Sequence, residues 1–102
     1  MILELVDLQI QPGQHAAFEA AVQEGLSTII ARSPGCRGWK VHRGIESAQR
    51  YVIQIWWDTL EDHTVGFRGS EAFARWRALV GPFFAAPPVV EHFTLGAGDL
   101  PA

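Results

Sequence analysis

The chain has 102 residues, 48% of them hydrophobic and only 19% charged, where an average soluble domain carries about 25%. That length supports a single domain over 1–102 with one core and leaves no room for separate cofactor and substrate domains, while the sparse charge implies that a partner chain covers part of the surface. A net charge of −3 removes general nucleic-acid binding, no apolar run reaches the ~18 residues of a membrane span, no basic stretch precedes an apolar one at the N-terminus, and the lone Cys36 excludes an internal disulfide; the expectation is a soluble cytoplasmic protein with no nucleic-acid or membrane partner.

The first predicted element is a strand over Ile2–Ile10 (ILELVDLQI), dense in Leu, Ile and Val with Glu4, Asp7 and Gln9 interspersed. Pro12-Gly13 breaks it. From Gln14 to about Arg32, Phe18, Val22, Gly25, Leu26 and Ile29 form a helical stripe. Gly25 within that stripe costs roughly 1 kcal/mol relative to Ala, so it marks a close approach of helix to sheet. Ser33-Pro34-Gly35 ends the helix.

Cys36–Gly44 reads as a second strand in which Trp39 and Val41 alternate with Lys40 and His42. The basic residues between Arg32 and Arg50 belong to this strand and its turns and read as a solvated face. Arg50–Trp57 is the third strand, with Tyr51, Ile53, Ile55 and Trp57 on one face and Val52, Gln54 and Trp56 on the other. Both faces are mostly apolar, so helices are expected on one and a second sheet on the other. Strand parity does not say which of Trp56 and Trp57 meets the helices.

Thr59 followed by Asp62 is a near match to a capping box. It opens a short helix with the stripe Leu60, His63, Thr64 and Phe67, which ends between Gly66 and Gly69. Ser70 is expected to cap a second helix carrying Phe73, Trp76 and Val80, which Gly81-Pro82 terminates. Pro87-Pro88 leads into a last strand, Val89–Leu95, and residues 96–102 read as a flexible tail. Strand, helix, strand, strand, helix pair, strand is the order of an α+β ferredoxin-like sandwich, a four-stranded antiparallel sheet with helices on one face. The other face, apolar at Trp39, Val52 and Ile55, is expected to pack against the same face of a second copy in a homodimer.

The run WDTLEDHTVGFRGSEAFARW, Trp57 to Trp76, resembles the strand-to-helix segment of the antibiotic biosynthesis monooxygenase family, whose members are dimeric α+β barrels. Trp57 closes the strand, His63 sits in the helix, and Ser70 stands before Phe73 where the family has a small-residue cap before x-x-Phe. The closing PPVVEHF, Pro87 to Phe93, suits the family's last strand. The resemblance implies a pocket between helices and sheet in which an electron-rich aromatic, polyketide-like or quinol-like small molecule is oxidised by O₂ without flavin, haem or metal. Such chemistry needs a base, a dry cavity, and donors aimed at the oxygen of the resulting anion.

His63 is the candidate base or substrate anchor, the alternative being a core histidine bonded to a backbone carbonyl. Arg68 is the candidate oxyanion partner at the pocket mouth. Trp57, Phe67, Phe73 and Trp76 are candidates to hold a flat substrate, or else plain core. His42 shares a strand face with Lys40 that either lines the cavity or faces solvent. His92 reads as interfacial and His15 as exposed. No metal site is expected, because the four histidines are dispersed and Cys36 has no near partner, and no glycine-rich cofactor motif is present. Two other functions compete. One is a haem-binding or haem-degrading monooxygenase; the related barrels use a helix histidine as axial ligand where this chain aligns Arg77, which counts against it. The other is a non-catalytic small-molecule-binding dimeric domain, which the absence of a cavity of roughly 300 Å³ between helices and sheet would favour.

Overall fold

In the computed structural model, residues 1–99 are described. The strands are β1 (Ile2–Gln9), β2 (Cys36–Arg43), β3 (Arg50–Trp57) and β4 (Val89–Thr94); the two α-helices are α1 (His15–Gly25) and α2 (Glu71–Val80). All strand pairs are antiparallel, in the order β2-β3-β1-β4. This is the expected ferredoxin-like sandwich, with the most apolar strands, β1 and β3, at its centre.

Register fixes the faces. Glu4 lies opposite Ile55 on one side and His92 on the other, and Ile2 lies opposite Trp57. Directly paired residues share a face, so Glu4, Val6 and Leu8 join Tyr51, Ile53, Ile55 and Trp57 on one side of the sheet. Phe18, Val22, Leu26 and Ile30 from the first helix, with Phe67 and Val80, complete this core, and all are buried. Trp57 therefore meets the helices, and Trp56 lies on the opposite, open face.

The pairing corrects the sequence reading of that open face. Trp39 pairs with Ile55, and both belong to the helix side; of the three residues expected on the open face only Val52 is there. Its apolar content comes instead from Leu3, Leu5, Val52, Trp56 and Phe93, rimmed by Lys40, Gln54 and the ion pair of Arg50 with Asp7 at 2.7 Å. Arg37 pairs with Asp58 at 2.5 Å and Arg43 with Glu19 at 3.6 Å, so much of the basic run is neutralised at the surface. No helix among the described residues is long and apolar enough to cross a membrane.

Two helical segments are wider than the period-3.6 reading allowed. The expected helix over Gln14–Arg32 is α-helical only to Gly25; Leu26–Ile30 is π-helical, with the Ala31 N–H donating to the Leu26 carbonyl at 2.8 Å. The helix expected after Thr59 is π-helical over Asp62–Phe67, and the Arg68 N–H donates to the His63 carbonyl at 3.1 Å. The capping box forms: the Asp62 N–H donates to Thr59 Oγ1 and the Thr59 N–H to Asp62 Oδ2, each at 3.2 Å. Leu60, expected on the buried stripe, is 39% exposed. Ser70 precedes α2, but its hydroxyl donates back to the Phe67 carbonyl at 2.6 Å and caps no helical N–H. The last strand stops at Thr94. Residues 95–99 have no regular structure, and 100–102 of the expected tail lie outside the described residues.

Gly25 does mark a close approach, to α2 and not to the sheet. A Cβ there would lie 2.7 Å from two ring atoms of Trp76 and 3.2 Å from Leu79 Cδ2. Gly25→Ala gains helix propensity of about 1 kcal/mol but overpacks the α1–α2 contact, which costs about 1–3 kcal/mol. Urea unfolding is expected to show Gly25→Ala destabilised by about 1 kcal/mol, and Trp76→Leu, which makes room, is expected to reverse the penalty of adding alanine.

Candidate active site

Glu4 is the third residue of β1, in phase with Val6 and Leu8, and the chain therefore carries a carboxylate onto the covered face of the sheet. It is 5% exposed. A buried carboxyl demands hydrogen-bond donors. Trp57, diagonal to it on β3, supplies one: its Nε1–H donates to Glu4 Oε1 at 2.9 Å. His63 reaches the same oxygen from above, its Nε2 lying 3.4 Å away. The other ring nitrogen of His63, Nδ1, shares a hydrogen with His92 Nε2 at 2.7 Å. His63 is 3% exposed; its Nδ1 is hydrogen-bonded and its Nε2 is turned to the Glu4 carboxyl.

The π turn places that imidazole. Wide turns bring residues four and five apart into line, and His63 and Phe67 both point at the sheet, their rings stacked with centroids 6.1 Å apart. Trp57 also stacks on His63, at 5.5 Å, and lies 5.8 Å from Phe67, so the three rings form one cluster. The imidazole is thus held by aromatic faces, and its edges are held by a carboxyl and a second imidazole.

Burial sets the electrostatics. It pushes the Glu4 carboxyl up to about 7, against the pull of the Trp57 N–H and the Arg68 guanidinium. It pushes His63 down to about 4, with Arg68 and His92 adding repulsion. His92 is lowered as well, first by burial and then by Arg68. Near neutrality the two imidazoles are uncharged and Glu4 is poised between its two forms.

Glu4 and His63 form part of the wall of a cavity of about 1040 Å³ between sheet and helices, open on one side. Phe67, Phe73 and Trp76 line it, with Arg68 and Arg77 among the lining residues. Arg77 lies over the Phe73 ring, 5.7 Å from its centroid. Of the candidates taken from the sequence, His63, Arg68, Phe67, Phe73 and Trp76 come together here. Two do not. Trp57 is fully buried behind His63 and supports it instead of facing the cavity. His42 pairs with Val52 on the open face, where its Nε2 meets Gln54 Oε1 at 2.8 Å, so the sheet separates it from the cavity. Among the described residues no group of three or more His, Cys, Asp or Glu side chains is disposed to hold a metal ion.

The sequence reading missed Glu4 and misplaced His92. A signal for Glu4 existed, because Ile2, Glu4, Val6, Leu8 and Ile10 alternate in one phase. His92 was expected at an interface; it lies on the helix side because β4 pairs with β1 in the register Glu4↔His92.

The sequence profile described as antibiotic biosynthesis monooxygenase matches residues 1–79. The chain belongs to this family. A crystal structure from Bordetella bronchiseptica carrying the same family designation is 42% identical, with a TM-score of 0.89, and the match covers 94% of this chain and 97% of that one. The Bacillus subtilis protein YczJ, itself uncharacterised, is 36% identical over 91% of this chain and 97% of its own. A mutant of SnoaB from Streptomyces nogalater, described as a cofactor-independent oxygenase, superposes with a TM-score of 0.80 over 95% of this chain and 94% of that one at 14% identity, a likeness of fold.

In this family member the Glu4 carboxyl leaves a mark on stability. Its proton is held more tightly folded than unfolded, since it rises from 4.5 to about 7, so its contribution is complete below about 4.5 and lost as pH climbs to about 7. His63 has the opposite sign: its contribution is complete above 6.5 and lost as pH falls through about 4. The two slopes oppose each other over the same window. Glu4→Gln removes only the carboxyl slope. Urea unfolding at a series of pH values is expected to show the variant gaining on the wild type as pH rises through that window, and parallel curves would contradict the assignment.

Proposed function

We propose that this protein is a cofactor-independent monooxygenase acting on an electron-rich, flat aromatic of the anthrone or hydroquinone type. The observation that carries this reading is the buried Glu4–His63 pair opening onto an aromatic-lined cavity with Arg68 alongside. The family membership and the fold shared with an oxygenase described as cofactor-independent support it.

The chemistry can be followed on a ring methylene of the anthrone type, conjugated through the flanking aromatic rings to a carbonyl across the ring. The Glu4–His63 pair takes one C–H proton, and the electron pair left behind delocalises onto the carbonyl oxygen as an enolate. Arg68, as a cation beside the cavity, stabilises that oxygen. The enolate is electron-rich enough to reduce O₂ directly; carbon–oxygen bond formation, loss of the second hydrogen and cleavage of the O–O bond convert the CH₂ to C=O and release the second oxygen atom as water. All four electrons come from the substrate, so the balance requires no external reductant. Phe67, Phe73 and Trp76 supply flat apolar walls that keep bulk water from the anion.

A haem-dependent reading has less support. Among the described residues His63 is the only imidazole lining the cavity; its Nδ1 is bonded to His92 and its Nε2 is turned to the Glu4 carboxyl instead of the open space. The residues therefore do not fit an axial haem ligand. Of the non-catalytic readings, a mere assembly domain is disfavoured by the cavity itself, whose volume of about 1040 Å³ lies just above that of ordinary ligand sites, about 300–1,000 Å³, while small-molecule binding is compatible with it.

The open sheet face supports a second part of the proposal, a homodimer. Leu3, Leu5, Val52, Trp56 and Phe93 form an apolar centre with a polar rim, the composition of a surface that packs against its own copy. Sedimentation is expected to give a dimer for the wild type and a monomer for Leu5→Arg, with a wild-type monomer counting against the pairing.

Oxygen uptake by metal-free protein with anthrone as substrate tests the reaction. His63→Ala is expected to lower the rate about a hundredfold or more, the usual contribution of a positioned base. Arg68→Gln is expected to lower it less, and an unchanged rate in His63→Ala removes the assigned role.

A further inference from the structure

The proposed reaction must dispose of a proton, and the arrangement around His63 bears on where it goes. A histidine that acts as base directly on a substrate needs one nitrogen free toward the cavity. His63 is poorly placed for this: Nδ1 is bonded to His92 Nε2 at 2.7 Å, and Nε2 is turned to Glu4 Oε1, 3.4 Å away. Glu4 lines the cavity, whereas His92 does not. Glu4 and His92 are direct cross-strand partners on β1 and β4, and His63 bridges them from the π segment above. His92 is only half-buried, so the row runs from the cavity wall to an outlet nearer solvent.

We propose that Glu4, His63 and His92 form a proton wire in which Glu4 takes the proton from the substrate, His63 passes it through its ring and His92 releases it to water. The inference rests on the reading of the cavity as a site of proton abstraction. The transfers balance. Glu4 accepts the substrate proton on its carboxylate and donates it to His63 Nε2. His63 gives up the hydrogen on Nδ1 to His92 Nε2, and His92 releases the hydrogen on its own Nδ1. One proton enters and one leaves; each passage ends with the hydrogens of both rings on Nε2, and exchange with water returns them to Nδ1 before the next passage. His63 carries two hydrogens only in passing, and the Arg68 cation discourages it from holding them longer. The 3.4 Å gap is the one long step, and such catalytic contacts commonly tighten when a ligand closes the site.

The packed elements leave few other groups to confuse a titration. β1 contributes Glu4, β3 the non-titrating Trp57 N–H, β4 His92, the loop after the π segment Arg68, and β2 the thiol of Cys36, which burial raises above its ordinary value. A wire of this kind has two polarities. With Glu4 protonated, its O–H faces His63 Nε2 and the hydrogen of His63 is on Nδ1. With Glu4 ionised, the hydrogen of His63 is on Nε2 and Nδ1 accepts from His92.

The experiment is ¹⁵N NMR of the ring nitrogens in the native, substrate-free protein. Neutral His63 is expected to exchange one tautomer for the other as pH crosses about 7, where Glu4 titrates, without becoming doubly protonated, and Glu4→Gln is expected to abolish the exchange. A single His63 tautomer throughout, or the same exchange in Glu4→Gln, overturns the wire. A second arm uses anthrone and O₂. His92→Phe is expected to lower kcat about a hundredfold with KM little changed, and added free imidazole is expected to restore part of the rate. An unaltered kcat in His92→Phe overturns the outlet. If anthrone is not oxidised by the wild type, the oxygenase reading fails and the ring-nitrogen result still decides the wire.

Discussion

A carboxyl group carried into the apolar face of a sheet is the constraint on which the rest of this site depends. Glu4 is only 5% exposed, so most of its donors come from the fold. The Trp57 indole meets it from the neighbouring strand, and His63 reaches down from the π segment. Once His63 is committed to that carboxyl, its other nitrogen also needs a partner inside the protein, and β4 supplies His92. No buried side-chain nitrogen or oxygen among the described residues is left without a partner. The polar row is complete, as buried networks have to be, and it adjoins the cavity.

The same row explains the aromatic density between Ile53 and Phe84. Trp57 and Phe67 pack against the imidazole and against each other, Phe67 meets the Phe73 ring edge-on at 5.6 Å, and Phe73 and Trp76 continue the surface along the cavity. Those rings do two jobs at once. They exclude water from the carboxyl and imidazole, which moves both away from their ordinary titration ranges, and they leave a flat-walled space beside them.

Much of this was legible in the residues. Strand alternation grouped Tyr51, Ile53, Ile55 and Trp57, and the capping signal at Thr59 and Asp62 located the start of the helical segment that carries His63. Gly25 announced a close contact. What could not be read was set by pairing between distant segments. The face of Trp57, the position of Trp39 and the inward turn of His92 all follow from β1 lying between β3 and β4, information that no local window contains. The π turns escaped for a different reason: an apolar stripe spaced for an α-helix tolerates one extra residue per turn, and His63 and Phe67 stay buried while Leu60, ahead of the π segment, lies outward. Glu4 was legible and was passed over, since a single acidic residue in an apolar phase looks like noise until the carboxyl is seen to have three neighbours waiting for it.

A strand is one residue thick, and β1 makes that thinness consequential. Leu3 and Leu5 project from the open face, and Glu4, between them, projects into the covered one. The peptide planes that aim the carboxyl are therefore the same planes that present the two leucines. Whatever lies on the open face thus lies against the same backbone that carries Glu4, on the side away from the cavity.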